Sequence, residues 1–140
     1  MTDDLDRDLE RGAGLVPAGD HRALRDAFGR FPSGVVSVCA RVDGSPVGMA
    51  VSSFTSVSLD PPLVLVCVDR ASSTWPRLRD AQRVGVSVLG EAHDTTARQL
   101  ASRTADRFAG LPLVDGEGGG LFVGGAAAWL ECSVESELPG

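Results

Sequence analysis

The chain has 140 residues, a formal net charge of −6 and an apolar fraction of 43%. This length predicts one domain. The apolar runs of the chain are too short to cross a bilayer. The arginines form no basic stripe that could neutralise phosphates, so we expect neither nucleic acid nor a membrane as a partner.

The first 20 residues differ from the remainder in charge. They hold six acidic residues and two arginines, so they carry −4 of the net charge. Because they lack a sustained apolar face, they are predicted to be a flexible acidic leader, which leaves one domain over residues 21–140. No basic segment precedes an apolar one, so we expect no secretory signal and a cytoplasmic location.

The remaining pattern predicts short strands and a few short helices. A helix is expected over residues 21–28, where Leu24 and Phe28 share one face. Residues 43–46, Asp-Gly-Ser-Pro, are predicted to be the turn of a hairpin. The other predicted elements are strands over 35–42, from Val47 onward, 63–68, 83–89 and 126–138, helices over 72–81 and 95–102, the second capped by Asp94, and a flexible loop over 115–120.

Short strands and tight turns indicate a mainly β fold, an antiparallel barrel or sandwich with a few short helices. The segment GEGGG neither follows a clear strand nor opens a helix, so a Rossmann site for a dinucleotide is not predicted. In the last strand Trp129 and Glu131 share one parity with further polar residues, which predicts a solvent-exposed face.

Cysteines are few and scattered. Cys39, Cys67 and Cys132 lie far apart, each in an apolar segment. Their odd number and the lack of a Cys-x-x-Cys spacing predict neither a disulfide framework nor a zinc site. We expect three buried thiols in a reducing compartment, and no metal.

Hydroxyl side chains crowd the stretch GMAVSSFTSVSLDPPLVLV, residues 48–66. A strand that is buried on one face carries apolar residues at every second position. Neither parity is apolar here, because hydroxyls stand at Ser52, Ser53, Thr55, Ser56 and Ser58. Two interpretations stay open: a solvated edge strand, or a wall that meets a polar ligand.

A second local signal lies in VDRASSTWPRLRDA, residues 68–81. Arg70 follows a strand, and three hydroxyl residues precede a predicted helix, whose free N–H groups and dipole favour an anion. The plain alternative is an ordinary N-cap by Ser73 or Thr74 beside a surface arginine. Together the two stretches suit a ligand with polar edges and a phosphate, and flavin mononucleotide (FMN) has both.

The segment of residues 28–90, which contains FGRFPSG and GMAVSSFTSVSLDPPLV, resembles the flavin reductase-like family, whose fold is the FMN-binding split barrel. The later segments ADRFAG and AAAWLECSVESELPG are similar to the pattern of that family. The resemblance spans residues 21–140. It implies an antiparallel Greek-key split barrel, usually homodimeric, that reduces FMN or FAD with NADH or NADPH and often supplies a partner monooxygenase.

The resemblance also implies site residues. Those lining the flavin ring would be Met49, Ala50, Val51, Ser52 and Ser53, with Ser56 close by. Those on the phosphate side would be Arg70, Ser72, Ser73 and Thr74. Phe108 would pack near the cofactor or serve as a core aromatic, and Pro32, Ser33 and Gly34 would approach from the other side. No catalytic residue is implied, because hydride transfer from nicotinamide to flavin requires no acid or base.

One departure from the family concerns the C-terminus. Members typically continue beyond the position of Glu137 with a Gly-Asp-His segment and further strands, so we expect the C-terminal strands to be missing here. The alternatives to an active reductase are then a non-catalytic flavin-binding protein or a truncated inactive remnant.

Overall fold

The computed structural model describes residues 19–30, 34–103 and 106–140. The chain divides into two compact units, residues 1–32 and 33–140. In the first unit, α1 (His21–Gly29) confirms the predicted helix. Asp20 caps it, because its Oδ1 accepts a hydrogen bond from the N–H of Ala23 at 3.1 Å. Residues 1–18 of the predicted flexible leader lie outside the described residues.

Four antiparallel strands form the central sheet of the second unit. They are β1 (Val35–Val42), β2 (Ser45–Val51), β5 (Val84–Leu89) and β8 (Ala128–Cys132), and they pair in the order β2–β1–β5–β8. Asp43 and Gly44 join the first two strands with positive φ angles of 52° and 81°. Such a two-residue turn matches the twist of the flanking strands, so the predicted hairpin is confirmed with a turn shorter than 43–46.

Two smaller antiparallel sheets complete the fold: β3 (Thr55–Leu59) with β4 (Pro62–Leu65), and β6 (Leu113–Asp115) with β7 (Leu121–Val123). The prediction of one continuous strand from Val47 into the serine-rich stretch was wrong, because β2 ends before Ser53. The hydroxyl of Ser53 instead bonds the main-chain N–H and carbonyl of Cys67, at 2.9 and 2.8 Å. The predicted strand over 63–68 also ends early, at Leu65. The Ser53 hydroxyl takes the place of a neighbouring strand as the hydrogen-bond partner of the Cys67 main chain.

The helices of the second unit are short: α2 (Trp75–Leu78), a 3₁₀ turn (Glu91–His93) and α3 (Asp94–Leu100). Thr74, one of the two predicted caps of α2, occupies the N-cap position, but its side chain makes no cap bond. The Oγ of Ser72 instead accepts the N–H of Trp75 at 3.2 Å. At α3 the cap position belongs to His93, and Asp94, the predicted cap, lies in the first turn. A single turn such as α2 has too few aligned peptides for a strong dipole.

The glycine-rich residues 115–120, predicted to be a flexible loop, connect β6 and β7 in a defined turn. The N–H of Gly116 donates to the carbonyl of Gly120 at 2.7 Å, and the N–H of Gly118 donates to Glu131 at 3.0 Å. A Cβ at Gly116 would overlap the Glu131 carboxylate, so close approach requires glycine there. The sequence prediction missed both strands, because each has only three residues.

The last strand differs from its prediction in length and in exposure. It ends at Cys132 and does not run to residue 138. Trp129 is 44% exposed, as predicted for the solvent-exposed face, although its ring stacks on Phe122 with centroids 5.3 Å apart and its Nε1–H donates to the carbonyl of Val123 at 2.8 Å. Leu130, of the opposite parity, is 38% exposed as well. The expected alternation is therefore absent from β8.

Two apolar clusters use alternate residues of β1. Val36, Val38 and Ala40 belong to one cluster, and Cys39 belongs to the other with Leu100 and the strand β7. Successive side chains of a strand point to opposite faces, so β1 is covered on both sides. This antiparallel, mainly β architecture confirms the predicted fold class. Among the described residues, no helix is long and apolar enough to cross a membrane.

The three cysteines differ in their surroundings. Burial raises the pKa of the Cys39 thiol to about 12, so this group stays protonated and inert at neutral pH. Cys132 is partly buried, and burial followed by the charge of Glu131 raises the pKa of its thiol. Cys67 is exposed, so the prediction of three buried thiols was wrong for this residue.

Candidate functional site

A cavity of about 240 Å³, hereafter the first cavity, opens beside the end of β2. One wall is the strand end itself and the residues that follow it, and the other is the segment after β4. Its lining residues are Met49, Ala50, Val51, Ser52, Ser53, Cys67, Val68, Asp69 and Ser72. All five residues predicted to line a flavin ring therefore lie on one cavity, together with one residue of the predicted phosphate group.

The two adjacent serines of this wall have different roles. The Ser53 hydroxyl both donates to and accepts from the main chain of Cys67, so it holds the two walls together. Ser52 is exposed, and its hydroxyl makes no hydrogen bond within the described parts of the chain. Of the two hydroxyls, that of Ser52 is the one available to a ligand.

A neighbouring cavity of about 320 Å³, hereafter the second cavity, is more polar and carries several arginines. Its lining residues are Pro46, Val47, Gly48, Ser73, Thr74, Arg77, Ser102, Arg103, Asp106, Arg107 and Phe108. Ser73 and Thr74, predicted for the phosphate side, and Phe108, predicted to pack near the cofactor, lie here. Phe108 also packs against the cluster around Cys39, as a core aromatic would, and its packing near a cofactor stays a prediction.

Arg107 is the residue of this region that sequence analysis missed. Its Nη1 donates to the carbonyl of Gly48 and to the hydroxyl of Thr74, each at 2.9 Å, and its Nε donates to the carbonyl of Ser102 at 2.8 Å. The half-buried guanidinium thus joins β2, the start of α2 and the end of α3. The hydroxyl of Thr74 serves this contact instead of the helix cap.

Two predicted site residues lie elsewhere. Arg70 lines neither cavity, and its guanidinium donates to the main-chain oxygen of Gly140. Ser56 is exposed on β3 and also lines neither cavity. Pro32 and Ser33 fall outside the described residues, so their predicted approach stays a prediction.

The segment between the two cavities is shaped by local hydrogen bonds. Asp69 accepts the N–H of Ala71 on its Oδ1 at 2.8 Å, and its carbonyl accepts the N–H of Ser72 at 3.0 Å. These bonds turn the chain sharply after residues 66–68. They place Ser72 on the first cavity and Ser73 on the second.

The chemistry of the first cavity suits a flavin ring. Its walls offer apolar side chains, main-chain groups and a free hydroxyl, and Asp69 is the acidic residue of this lining. A flavin ring presents carbonyl and nitrogen edges around an apolar face, so these donors and acceptors match it. Within the described ranges, no group of three or more possible ligands could hold a metal ion.

Comparison with known proteins identifies the family. The sequence profile of the flavin reductase like domain matches residues 28–140. The chain belongs to this family. The resemblance stated from its motifs is therefore confirmed, and the match covers the central sheet and both cavities of this flavin reductase-like chain.

Two relatives and one solved structure show how far the similarity extends. A probable flavin reductase of Rhizobium meliloti (strain 1021) is 43% identical over 117 residues, which are 83% of this chain and 38% of the relative. The reductase subunit of a flavin-dependent monooxygenase of Rhodococcus jostii (strain RHA1) is 37% identical over 125 residues, 89% of this chain and 64% of the relative. The chain thus spans less than two thirds of either relative.

The solved structure is the NADH:FAD oxidoreductase of Streptomyces globisporus C-1027 in complex with NAD and FAD fragments. It superposes with a TM-score of 0.83 and 40% sequence identity, covering 90% of this chain and 76% of that chain. At this identity, the similarity concerns both the fold and the sequence.

Proposed function

We propose that this chain is an NAD(P)H-dependent flavin reductase that binds the ring of FMN or FAD in the first cavity. The observation that carries the proposal is the convergence of residues 49–53 with Cys67, Asp69 and Ser72 around one cavity. These residues are separate in sequence, and they combine apolar walls with hydrogen-bonding groups at the edges. Membership of the flavin reductase-like family supports the same assignment.

The chain's own residues act by binding and positioning. The Ser52 hydroxyl and the main-chain groups of residues 50–53 would bond the polar edges of the ring, while Met49 and Val51 border its apolar surface. A flavin held there would supply the acceptor for the hydride of the reduced nicotinamide, and these residues would hold the two rings close together. We assign no catalytic acid, base or nucleophile, because the transfer itself moves no separate proton.

The partners belong to the proposal as well. The Rhodococcus jostii relative is a reductase subunit of a flavin-dependent monooxygenase, which supports release of reduced flavin to a separate monooxygenase component.

The β3–β4 hairpin exposes the apolar side chains of Val57, Leu59 and Leu65, to 58%, 93% and 48%, and a second copy of the chain would cover such a surface. The three free cysteines support a cytoplasmic location, where thiols stay reduced.

The test is oxidation of NADH and NADPH by the purified chain, followed as loss of nicotinamide absorbance with and without FMN or FAD. The proposal predicts turnover that requires both flavin and protein, and that saturates with flavin concentration. A Ser56→Ala variant serves as the control, because Ser56 lines neither cavity and should retain this turnover. Bound flavin with no turnover would contradict the reductase assignment and leave a flavin-binding protein.

A further inference from the structure

The first cavity has an acidic lining. Among the described residues, Asp69 is its one acidic residue, and no basic residue lines it. Asp69 is exposed, and it forms no ion pair in the part of the chain that the structure describes. The carboxylate of Asp69 therefore determines the sign of the electrostatic potential that a ligand meets in this cavity.

The position of this carboxylate is fixed by the turn that follows β4. The Oδ1 of Asp69 accepts the N–H of Ala71 at 2.8 Å, and its main-chain carbonyl accepts the N–H of Ser72 at 3.0 Å. Ser72 lines the same cavity. Because the turn uses one of the two carboxylate oxygens, it holds the negative charge beside the cavity and leaves the other oxygen unengaged by these bonds.

Nearby arginines do not neutralise Asp69. The guanidinium of Arg70, the next residue in the chain, donates to the main-chain oxygen of Gly140, and Arg70 lines neither cavity. The arginines of the second cavity line that cavity and not the first. A ring held in the first cavity would therefore have a carboxylate as its charged neighbour in the lining.

The proposed reaction changes the charge of that ring. A hydride consists of one proton and two electrons, so a neutral oxidised flavin ring that accepts it becomes an anion. The C–H bond of the reduced nicotinamide breaks, an N–H bond forms on the flavin, and the nicotinamide ring becomes a cation. The phosphate of FMN is the same before and after the transfer. A carboxylate beside the ring thus distinguishes the reduced flavin from the oxidised flavin by charge alone.

We propose that Asp69 is a specificity-determining residue, which weakens the binding of reduced flavin relative to that of oxidised flavin. This inference rests on the proposed function of the first cavity. The negative charges of the carboxylate and of the reduced ring repel each other, so the affinity falls at the step that forms the product. The reduced flavin then dissociates more readily, as its proposed delivery to a separate monooxygenase component requires.

The experiment compares Asp69→Asn with Asp80→Asn in the full chain. Asparagine keeps a side-chain oxygen that can accept the N–H of Ala71, so the first variant loses the charge and retains the turn. Asp80 is exposed and lines neither cavity, so the second variant loses an equal charge outside the site. Anaerobic ultrafiltration would give the Kd of oxidised FMN and of dithionite-reduced FMN for each protein.

We expect Asp69→Asn to lower the Kd of reduced FMN about fivefold, the effect of two unit charges roughly 4 Å apart at the dielectric constant of water. The Kd of oxidised FMN should stay within about twofold, because its ring is neutral. The midpoint potential of the bound flavin should accordingly rise by about 20 mV, which is a fivefold change converted for a two-electron couple. Asp80→Asn should change neither Kd by more than about twofold.

A further variant, Asp69→Glu, separates the charge from the turn. Glutamate keeps the carboxylate but carries it on one more methylene, so the bond to the N–H of Ala71 should be lost and the melting temperature should fall. The ratio of the two Kd values should nevertheless stay within about twofold of the ratio in the parent chain. In about 1 M salt the difference between Asp69→Asn and the parent chain should shrink, because salt screens exposed charges.

Three results would contradict the account, and they differ from one another. The same ratio of the two Kd values in Asp69→Asn and in the parent chain, while oxidised FMN still binds, would overturn the role of Asp69 and leave the proposed function standing. A ratio in Asp69→Glu that matches Asp69→Asn would assign the effect to the turn and not to the charge. Failure of the unmodified chain to bind either form of FMN would overturn both this inference and the proposed function.

Discussion

The first and second cavities are neighbours on the same strand, yet they are lined by different types of residue. The first is walled by apolar side chains, main-chain groups and one free hydroxyl, and its charged residue is acidic. The second is walled by three arginines, two of them exposed. The first can bind a ring by its shape and its hydrogen-bonding edges, whereas the second can bind a negatively charged group. Arg107 bonds the carbonyl of Gly48 on the second cavity, and Gly48 directly precedes the β2 residues that line the first, so changes at either residue are expected to affect both cavities.

The largest effect is expected from Arg107→Ala, which removes the side chain that joins three segments around the second cavity. The carbonyls of Gly48 and Ser102 and the hydroxyl of Thr74 would lose a charged donor, at a cost of about 2–4 kcal/mol in the free energy of unfolding. Denaturant unfolding measures this loss. FMN and riboflavin should both bind more weakly, since the wall of the first cavity shifts as well.

The matched control for that variant is Arg98→Ala. Arg98 is exposed on α3 and its side chain makes no hydrogen bond within the described residues, so replacing it by alanine should leave the unfolding free energy within about 0.5 kcal/mol. If both variants unfolded at the same denaturant concentration as the parent chain, Arg107 would have no structural role.

A smaller effect is expected from Gly48→Ala, at the boundary of the two cavities. A Cβ at this position would lie 3.0 Å from the Cζ of Phe108 and closer still to the Sγ of Cys39. Overpacking of this kind costs about 1–3 kcal/mol, because the buried Cys39 cannot move into solvent. Combining Gly48→Ala with Cys39→Ala should cost less than the sum of the two single changes. Strict additivity would show that this contact does not limit the site.

The smallest effects are expected at the two serines of the first cavity, and they should differ in kind. Ser53→Ala breaks both hydrogen bonds to the Cys67 main chain, so it should lower the unfolding free energy by about 1 kcal/mol. It should also weaken the binding of FMN and of riboflavin by equal amounts. Ser52→Ala should leave the melting temperature unchanged but make the binding free energy of both flavins less favourable by about 1 kcal/mol. Equal melting temperatures and equal flavin affinities for the two variants would contradict their different roles.

The elements best predicted from the sequence are those that local patterns determine. The Asp43-Gly44 turn requires positive φ angles, and apolar residues on both faces of β1 match a strand covered by two clusters. The four-residue helix α2 and its N-cap residue Thr74 lie within the predicted segment, but the side chain that bonds the helix start could not be predicted, because Ser72, Ser73 and Thr74 are equivalent by type. Only their contacts distinguish them.

The parts that could not be predicted depend on contacts between distant residues. Arg107 bonds residues 59 and 33 positions away, and Ser53 bonds a main chain 14 positions away. Neither contact leaves a periodic signal in the sequence. The hairpin of β6 and β7 was missed for a related reason, since its glycines are required by the approach of Glu131 from another strand.

The central claim is that a flavin ring occupies the first cavity, and Cys67 offers a direct measurement of it. This exposed thiol lines the cavity, whereas Cys39 is buried and Cys132 lies outside both linings. Alkylation of the three cysteines by iodoacetamide can be followed by peptide mass spectrometry at increasing FMN concentration. We predict that labelling of Cys67 slows as FMN saturates, with half the effect at the Kd from fluorescence titration, while labelling of Cys132 is unchanged. Unchanged labelling of Cys67 at saturating FMN would contradict the account.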